Sequence, residues 1–219
     1  MNIDQAATLI YGNDALEPEK YTGFMPRFND LSASNGENII DAGGTGSDNT
    51  SILLSVWGPN TVHGIYPPGS PGGLEMKDLG EVTEQDTEGG TTGKRQVFMT
   101  HYSWTMGLHI LDWQYVVRIA NIDKSSLSSV FNNGTFASPS AHLPNLMFKA
   151  MRRVPNLSMG KPCFYMARDT LTMLMEQTSA ATQGSTLKSE KVGGQLVDSL
   201  MGVPIRQMDA MSADEARVV

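Results

Sequence analysis

The stretch Trp104-Thr105-Met106-Gly107-Leu108-His109-Ile110-Leu111-Asp112-Trp113-Gln114-Tyr115-Val116-Val117-Arg118-Ile119-Ala120-Asn121-Ile122 holds one glycine and no proline. Trp104, Met106, Leu108 and Ile110 alternate on even numbers, as on one face of a strand. The apolar set then moves to odd numbers, with Trp113, Tyr115, Val117 and Ile119. A phase change near Leu111-Asp112 is what one extra residue, a β-bulge, produces. Extended back to Gln96, the segment predicts a bent β ribbon well beyond the usual strand of about 3 to 10 residues. Such a ribbon reaches across a subunit or beyond it.

Upstream, residues 67–94 are poor in apolar groups and rich in Gly, Pro, Glu and Asp, which predicts a projecting loop over 67–95. Before it, Ser51 to Trp57 reads as a strand, Gly58-Pro59-Asn60 as a turn, and Thr61 to Tyr66 as a second strand, together a hairpin. Asp41 to Asn49 is a dense turn signal. Ile3, Ala6, Ala7 and Ile10 recur at helical spacing, and Gly12 supplies a stop.

Downstream the period changes. Leu143, Leu146, Met147, Ala150, Met151 and Val154 follow i, i+3, i+4, i+7, i+8, i+11, with Pro144 in the first turn and Ser140 as the expected cap. A strand over Lys161 to Ala167 follows. Asp169 is expected to cap a second helix carrying Leu171, Leu174 and Met175. Residues 178–195 read as polar loop, and Leu196–Met201 and Val203–Met208 as two strands joined at Gly202. A β-rich first half followed by a small α/β unit makes the class α+β.

Composition narrows the function. The 219 residues are 40% hydrophobic and 18% charged, which is globular. Sixteen Lys and Arg against 23 Asp and Glu give a net charge of −7, and the only adjacent basic pairs are Lys94-Arg95 and Arg152-Arg153. Specific nucleic-acid binding is therefore not expected. Cys163, the only cysteine, sits in an apolar run and is read as a small buried hydrophobe in a reducing compartment. The N-terminus lacks a signal-peptide pattern, and no apolar stretch approaches the roughly 20 residues of a membrane span. The expectation is a soluble protein. Most of the 14 methionines are expected to be ordinary core filler.

Catalytic motifs find no foothold. Gly89-Gly90-Thr91-Thr92-Gly93-Lys94-Arg95 approaches a phosphate-binding loop, but Glu88 stands where glycine is needed and Arg95 where Ser or Thr would bind magnesium. Gly43-Gly44-Thr45-Gly46 precedes a strand instead of a helix, so it reads as a turn. His63, His101, His109 and His142 lack metal-ligand spacing. On one continuous strand His101 and His109 would lie roughly 26 Å apart. Each histidine is read as a surface or satisfied core residue. No catalytic, cofactor-binding or metal residue is assigned, no cofactor is expected, and the assembly interface is left unassigned.

Several longer stretches decide the matter differently. Ile39-Ile40-Asp41-Ala42-Gly43-Gly44-Thr45-Gly46-Ser47-Asp48-Asn49-Thr50-Ser51 and Val56-Trp57-Gly58-Pro59-Asn60-Thr61-Val62-His63-Gly64-Ile65-Tyr66-Pro67 resemble the major capsid proteins of a group of tailed bacteriophages. So do Tyr11-Gly12-Asn13, Tyr21-Thr22-Gly23-Phe24-Met25-Pro26-Arg27-Phe28, Asp112 to Asp123, and the ending Glu215-Ala216-Arg217-Val218-Val219. The resemblance implies the tailed-phage major capsid fold: a β-rich peripheral domain over 1–130, and a small α/β axial domain with a C-terminal tail over 131–219. It implies a structural, non-enzymatic subunit. Copies would form pentamers and hexamers and close an icosahedral shell around the genome in the host cytoplasm. Self is the implied partner, with scaffolding or decoration proteins as further candidates and no membrane. Family members carry an N-terminal arm, an extended loop and most of a long helix before the Tyr-Gly-Asn segment. Only a stub of that helix precedes Tyr11 here, so a truncated chain, a shortened gene or a split subunit is expected. The competing expectation is a soluble binding or accessory protein using the 67–95 loop.

Overall fold

A computed structural model describes residues 3–69, 72–86, 93–128, 141–180, 187–192 and 195–219. The chain divides into two compact units, Met1–His63 with Leu108–Val219, and Gly64–Gly107.

The larger unit is organised by β2 (Asn49–Trp57), whose residues are buried from Asn49 to Val56. β2 pairs antiparallel with β7 (Val116–Asp123) on one side and with β8 (Lys161–Met166) on the other. Beyond β7 lies β1 (Ile39–Asp41), parallel to it. Beyond β8 lie β11 (Val203–Gln207), parallel, then β10 (Gln195–Leu200) and β9 (Leu187–Val192). The short strands β3 (Val62–Ile65) and β6 (Gly107–Ile110) pair off this path.

Pleating sends alternate residues of the central strands into two different cores. Ile52, Leu54 and Val56 of β2, with Val117 and Ile119 of β7, face a cluster completed by Phe164, Met166 and Ile205. Helices α4 (Leu143–Arg153) and α5 (Arg168–Ala180) cover it with Leu143, Met147, Ala150 and Leu174. Leu53, Val116 and Ala120 face the opposite cluster. There they meet Leu9 and Ile10 of α1 (Ile3–Tyr11), Phe24 and Met25 of α2 (Phe24–Arg27), and Met211 and Val218 of the C-terminal segment. Each fully buried aliphatic side chain of β2 stabilises the fold by about 1.5–3 kcal/mol. The remaining helix of this unit, α3 (Lys124–Ser128), follows β7 directly.

The smaller unit holds a two-stranded antiparallel ribbon, β4 (Glu75–Asp86) with β5 (Gly93–Ser103), bulged between Asp78 and Gly80. Among the described residues no helix is long and apolar enough to cross a membrane.

Three expectations need correction. Residues 96–122 are not one ribbon: they divide into β5, β6 and β7, in different pairings. The phase change comes from a single 3-10 turn, Trp113–Tyr115, which Asp112 caps by accepting from Gln114 N at 3.0 Å. A register irregularity does occur, but in β2, between Thr50 and Ile52. The described residues within 67–95 are mostly strand and not loop, since β4 fills 75–86 and β5 begins at Gly93. Alternation is weak there because neither face of β4 enters a core, so the backbone ladder alone makes the strand. Residues 51–57 and 61–66 do not form a hairpin: β3 meets β2 in parallel at Trp57 and Val62 only.

Smaller differences follow the same logic. His142, instead of Ser140, caps α4 by accepting from Asn145 N, and residue 140 lies outside the described residues. Asp169 sits inside the first turn of α5, and Met175 is exposed. Within 178–195, expected as loop, α5 runs to Ala180 and β9 occupies Leu187–Val192. The Met201-Gly202 turn falls where expected, with both residues at positive φ, 51° and 86°. Those values match the right-handed twist of the strands it joins.

Candidate functional site

Arg118 is a lone cation in the middle of an apolar strand, opposite Leu53 of β2 and only 4% exposed. A buried guanidinium needs a counter-charge and acceptors for its N–H groups. It finds them on three separate segments. Nη2 donates to Glu215 Oε2 at 2.8 Å, and Nε to Ser51 Oγ at 3.1 Å. Nη1 donates to the carbonyls of Phe28 at 2.6 Å and Met25 at 3.5 Å.

Glu215 closes the network. Its Oε2 also accepts from Ser51 Oγ, and its Oε1 accepts from the Tyr11 hydroxyl at 2.5 Å. Tyr11 in turn accepts from Ser212 N at 2.7 Å. Burial, and then the carboxylate beside it, push the Tyr11 phenol well above its ordinary range. The backbone joins in, with Glu215 N donating to Asn49 O at 2.9 Å and Thr50 Oγ1 to Ser212 O at 3.0 Å.

A second contact stitches the last residues to the same strand. Asn121 adopts a positive φ of 59°, donates from Nδ2 to Val218 O at 2.9 Å and accepts at Oδ1 from Val218 N at 2.8 Å. Leu31 N donates to Val219 O at 3.1 Å. Where α1 ends, Gly12 N donates to Thr8 O, and a Cβ on Gly12 would lie 2.3 Å from the carbonyl of Tyr21. The close approach of those two chains requires glycine there. Beside the node an open cleft of about 560 Å³ is lined by Tyr11, Met25, Arg118, Glu215 and Arg217, among others.

Chemically this is a clamp. The oxygens of Glu215 and the donors of Arg118 are engaged by protein groups, and the arrangement pins five chain segments together. Sequence reasoning did not single out Arg118 or Glu215, although a charged residue inside the run Tyr115–Ile122 was the available signal. Cys163 is buried as expected, and burial pushes its thiol up, away from the reactive thiolate. His63 and His109 depart from the expectation of satisfied or surface residues. Their rings lie 4.9 Å apart on β3 and β6, and each buried Nδ1 is without a protein partner. His101 is on β5, so the distance argued for one continuous strand does not apply. Residues 89–92 of the phosphate-loop-like segment lie outside the described residues. Among the described residues no group of three or more His, Cys, Asp or Glu is placed to hold a metal ion.

The mixed sheet carries α4 and α5 on one face and α1, α2 and the C-terminal segment on the other, and this is a tailed-phage major capsid fold by its structural match. The same fold occurs in a chain of the near-atomic-resolution cryo-EM structure of bacteriophage Epsilon15, with a TM-score of 0.58 and 28% sequence identity. That match covers 99% of this chain and 63% of the phage chain, so the protein spans less than two thirds of that relative's length. The chain belongs to the family described as major capsid protein GP7, whose model matches residues 1–219. No curated protein matches it.

Proposed function

We propose that this protein is a structural, non-enzymatic subunit of a bacteriophage capsid. Copies associate into pentamers and hexamers that build an icosahedral shell around the genome, assembled in the host cytoplasm. The observation that carries this reading is the family match over the full 219 residues, with the Epsilon15 chain sharing the fold. The clamp supports it physically. A shell subunit must present the same surfaces in every copy, and a buried ion pair, hydrogen-bonded at all three guanidinium nitrogens, holds its segments in one arrangement.

Residues 1–130 serve as the peripheral domain, and 131–219 as the axial domain with a C-terminal tail. The order α4, β8, α5 after residue 131 supports that division. The boundary falls within one continuous sheet, through the pairing of β2 with β8, so it separates surface roles and not folding units. Partners are further copies, with scaffolding or decoration proteins as accessory candidates.

Electron microscopy of the protein, purified and co-expressed with the remaining proteins of its virion, is the test. Rings, shells or incorporation into particles are expected. A chain that stays monomeric and never enters a particle refutes the reading.

A further inference from the structure

The β4–β5 ribbon buries little of its own apolar surface. Phe98 is 84% exposed, Met76 64% and Tyr102 56%. The register places all three on one face, with Met76 opposite Tyr102 and Phe98 opposite Glu81. A two-stranded ribbon with an uncovered apolar face is marginal in water and needs a third layer. Each strand also pairs only with the other, leaving two long edges open among the described residues.

Charge identifies what covers it. On the Phe98 face, β4 carries Asp78 and Glu81, whose cross-strand partners are Thr100 and Phe98 and not cations. The same face of β5 carries Lys94, opposite Gln85. The acid therefore lies on one strand and the base on the other. A second ribbon turned so that its β5 covers the first β4 brings Lys94 to Asp78 and Glu81 and buries the exposed rings together. We propose that this face is a self-complementary contact, β4 of one copy against β5 of the next, joined by Lys94 with Asp78 and Glu81 around Phe98. The same face serves both copies, so the contact is isologous and joins copies two by two. It deepens the capsid-subunit reading and rests on it.

The test uses the full chain with Lys94→Glu, Glu81→Lys, the double variant, and Phe98→Ser, each checked for an unchanged circular-dichroism spectrum. Association is followed by analytical ultracentrifugation at low and high salt. Each single swap sets like charges against each other and is expected to weaken association roughly tenfold, less at high salt. Phe98→Ser weakens it at every salt. The double variant restores association, and so does mixing the two single variants, because the two members of a pair are again complementary. Single swaps that associate like the unaltered protein, or swaps that weaken it with no rescue by the double variant or the mixture, overturn the inference while leaving the capsid reading intact. An unaltered chain that remains monomeric at all concentrations, alone and with its virion proteins, overturns both.

Discussion

Replacing Arg118 with methionine tests the clamp most directly. Methionine keeps much of the volume and removes the charge. The Glu215 carboxylate, whose side chain is 5% exposed, is left in the interior with Tyr11 and Ser51 as its remaining side-chain donors. The carbonyls of Phe28 and Met25 lose the donor they share. Removing one partner of a buried pair costs about 3–5 kcal/mol, because the other charge stays uncompensated. For a chain of this size that corresponds to roughly 6–20 °C in Tm. Glu215→Gln in the Arg118→Met background discharges the stranded carboxylate; its one carbonyl oxygen still accepts from Tyr11, and its amide nitrogen can donate to Ser51 Oγ. The double variant should then lose only about 1–2 kcal/mol, the share of the orphaned carbonyls. Urea unfolding of the wild type, both single variants and the double gives the coupling energy. A cycle additive to within about 0.5 kcal/mol, or a loss below about 1 kcal/mol for Arg118→Met, would refute the clamp.

Three further outcomes follow from particular residues. Tyr11 and Tyr165 are raised above their ordinary 10.0 mainly by burial, and Cys163 is raised above 9.0, so the unfolded chain releases these protons first as pH climbs. Their stabilisation is complete below those values and is lost above them, by up to about 1.4 kcal/mol per pH unit for each group. The urea midpoint should therefore fall steeply between about pH 9 and 11, with a shallower slope in Tyr11→Phe, and a flat midpoint sinks the assignment. Met201→Asn should raise stability by about 1 kcal/mol, because Met201 holds a φ of 51° in a turn that prefers Asn-Gly; thermal melting decides it. Substituting both His63 and His109 by Phe removes two buried nitrogens without protein partners and should leave stability unchanged or higher; a loss above about 1 kcal/mol means that those atoms are satisfied.

Legibility followed burial. The helix over 143–153 and the strand over 161–166 stood out because each places an apolar stripe against one core, at the period its backbone dictates. β4 was illegible because its faces enter no core, leaving its side chains free to be Glu, Lys and Thr. The break at Trp113–Tyr115 imitated a bulge because a 3-10 turn also shifts alternation by one residue. The node was invisible as a unit, since no spacing rule joins Tyr11, Arg118 and Glu215 across some two hundred residues.

Yet five of the six segments that resembled the capsid family, all but Val56–Pro67, build that node. Tyr11-Gly12-Asn13 supplies the hydroxyl, Tyr21–Phe28 the two carbonyls, Ile39–Ser51 the serine, Asp112–Asp123 the arginine and Asn121, and the final pentapeptide the glutamate and Val218. Each position is held by several partners at once, so a change at one strands a buried polar group at another. The exposed ribbon faces no such restriction within a single chain. Its residues answer to whatever covers it, and if that is a second copy, the restriction is the pairing of acid with base between β4 and β5. On that proposed pairing, fold recognition and assembly rest on different residues: substitutions in the node should destabilise the monomer, whereas charge swaps in the ribbon should leave its stability unchanged and alter only its association.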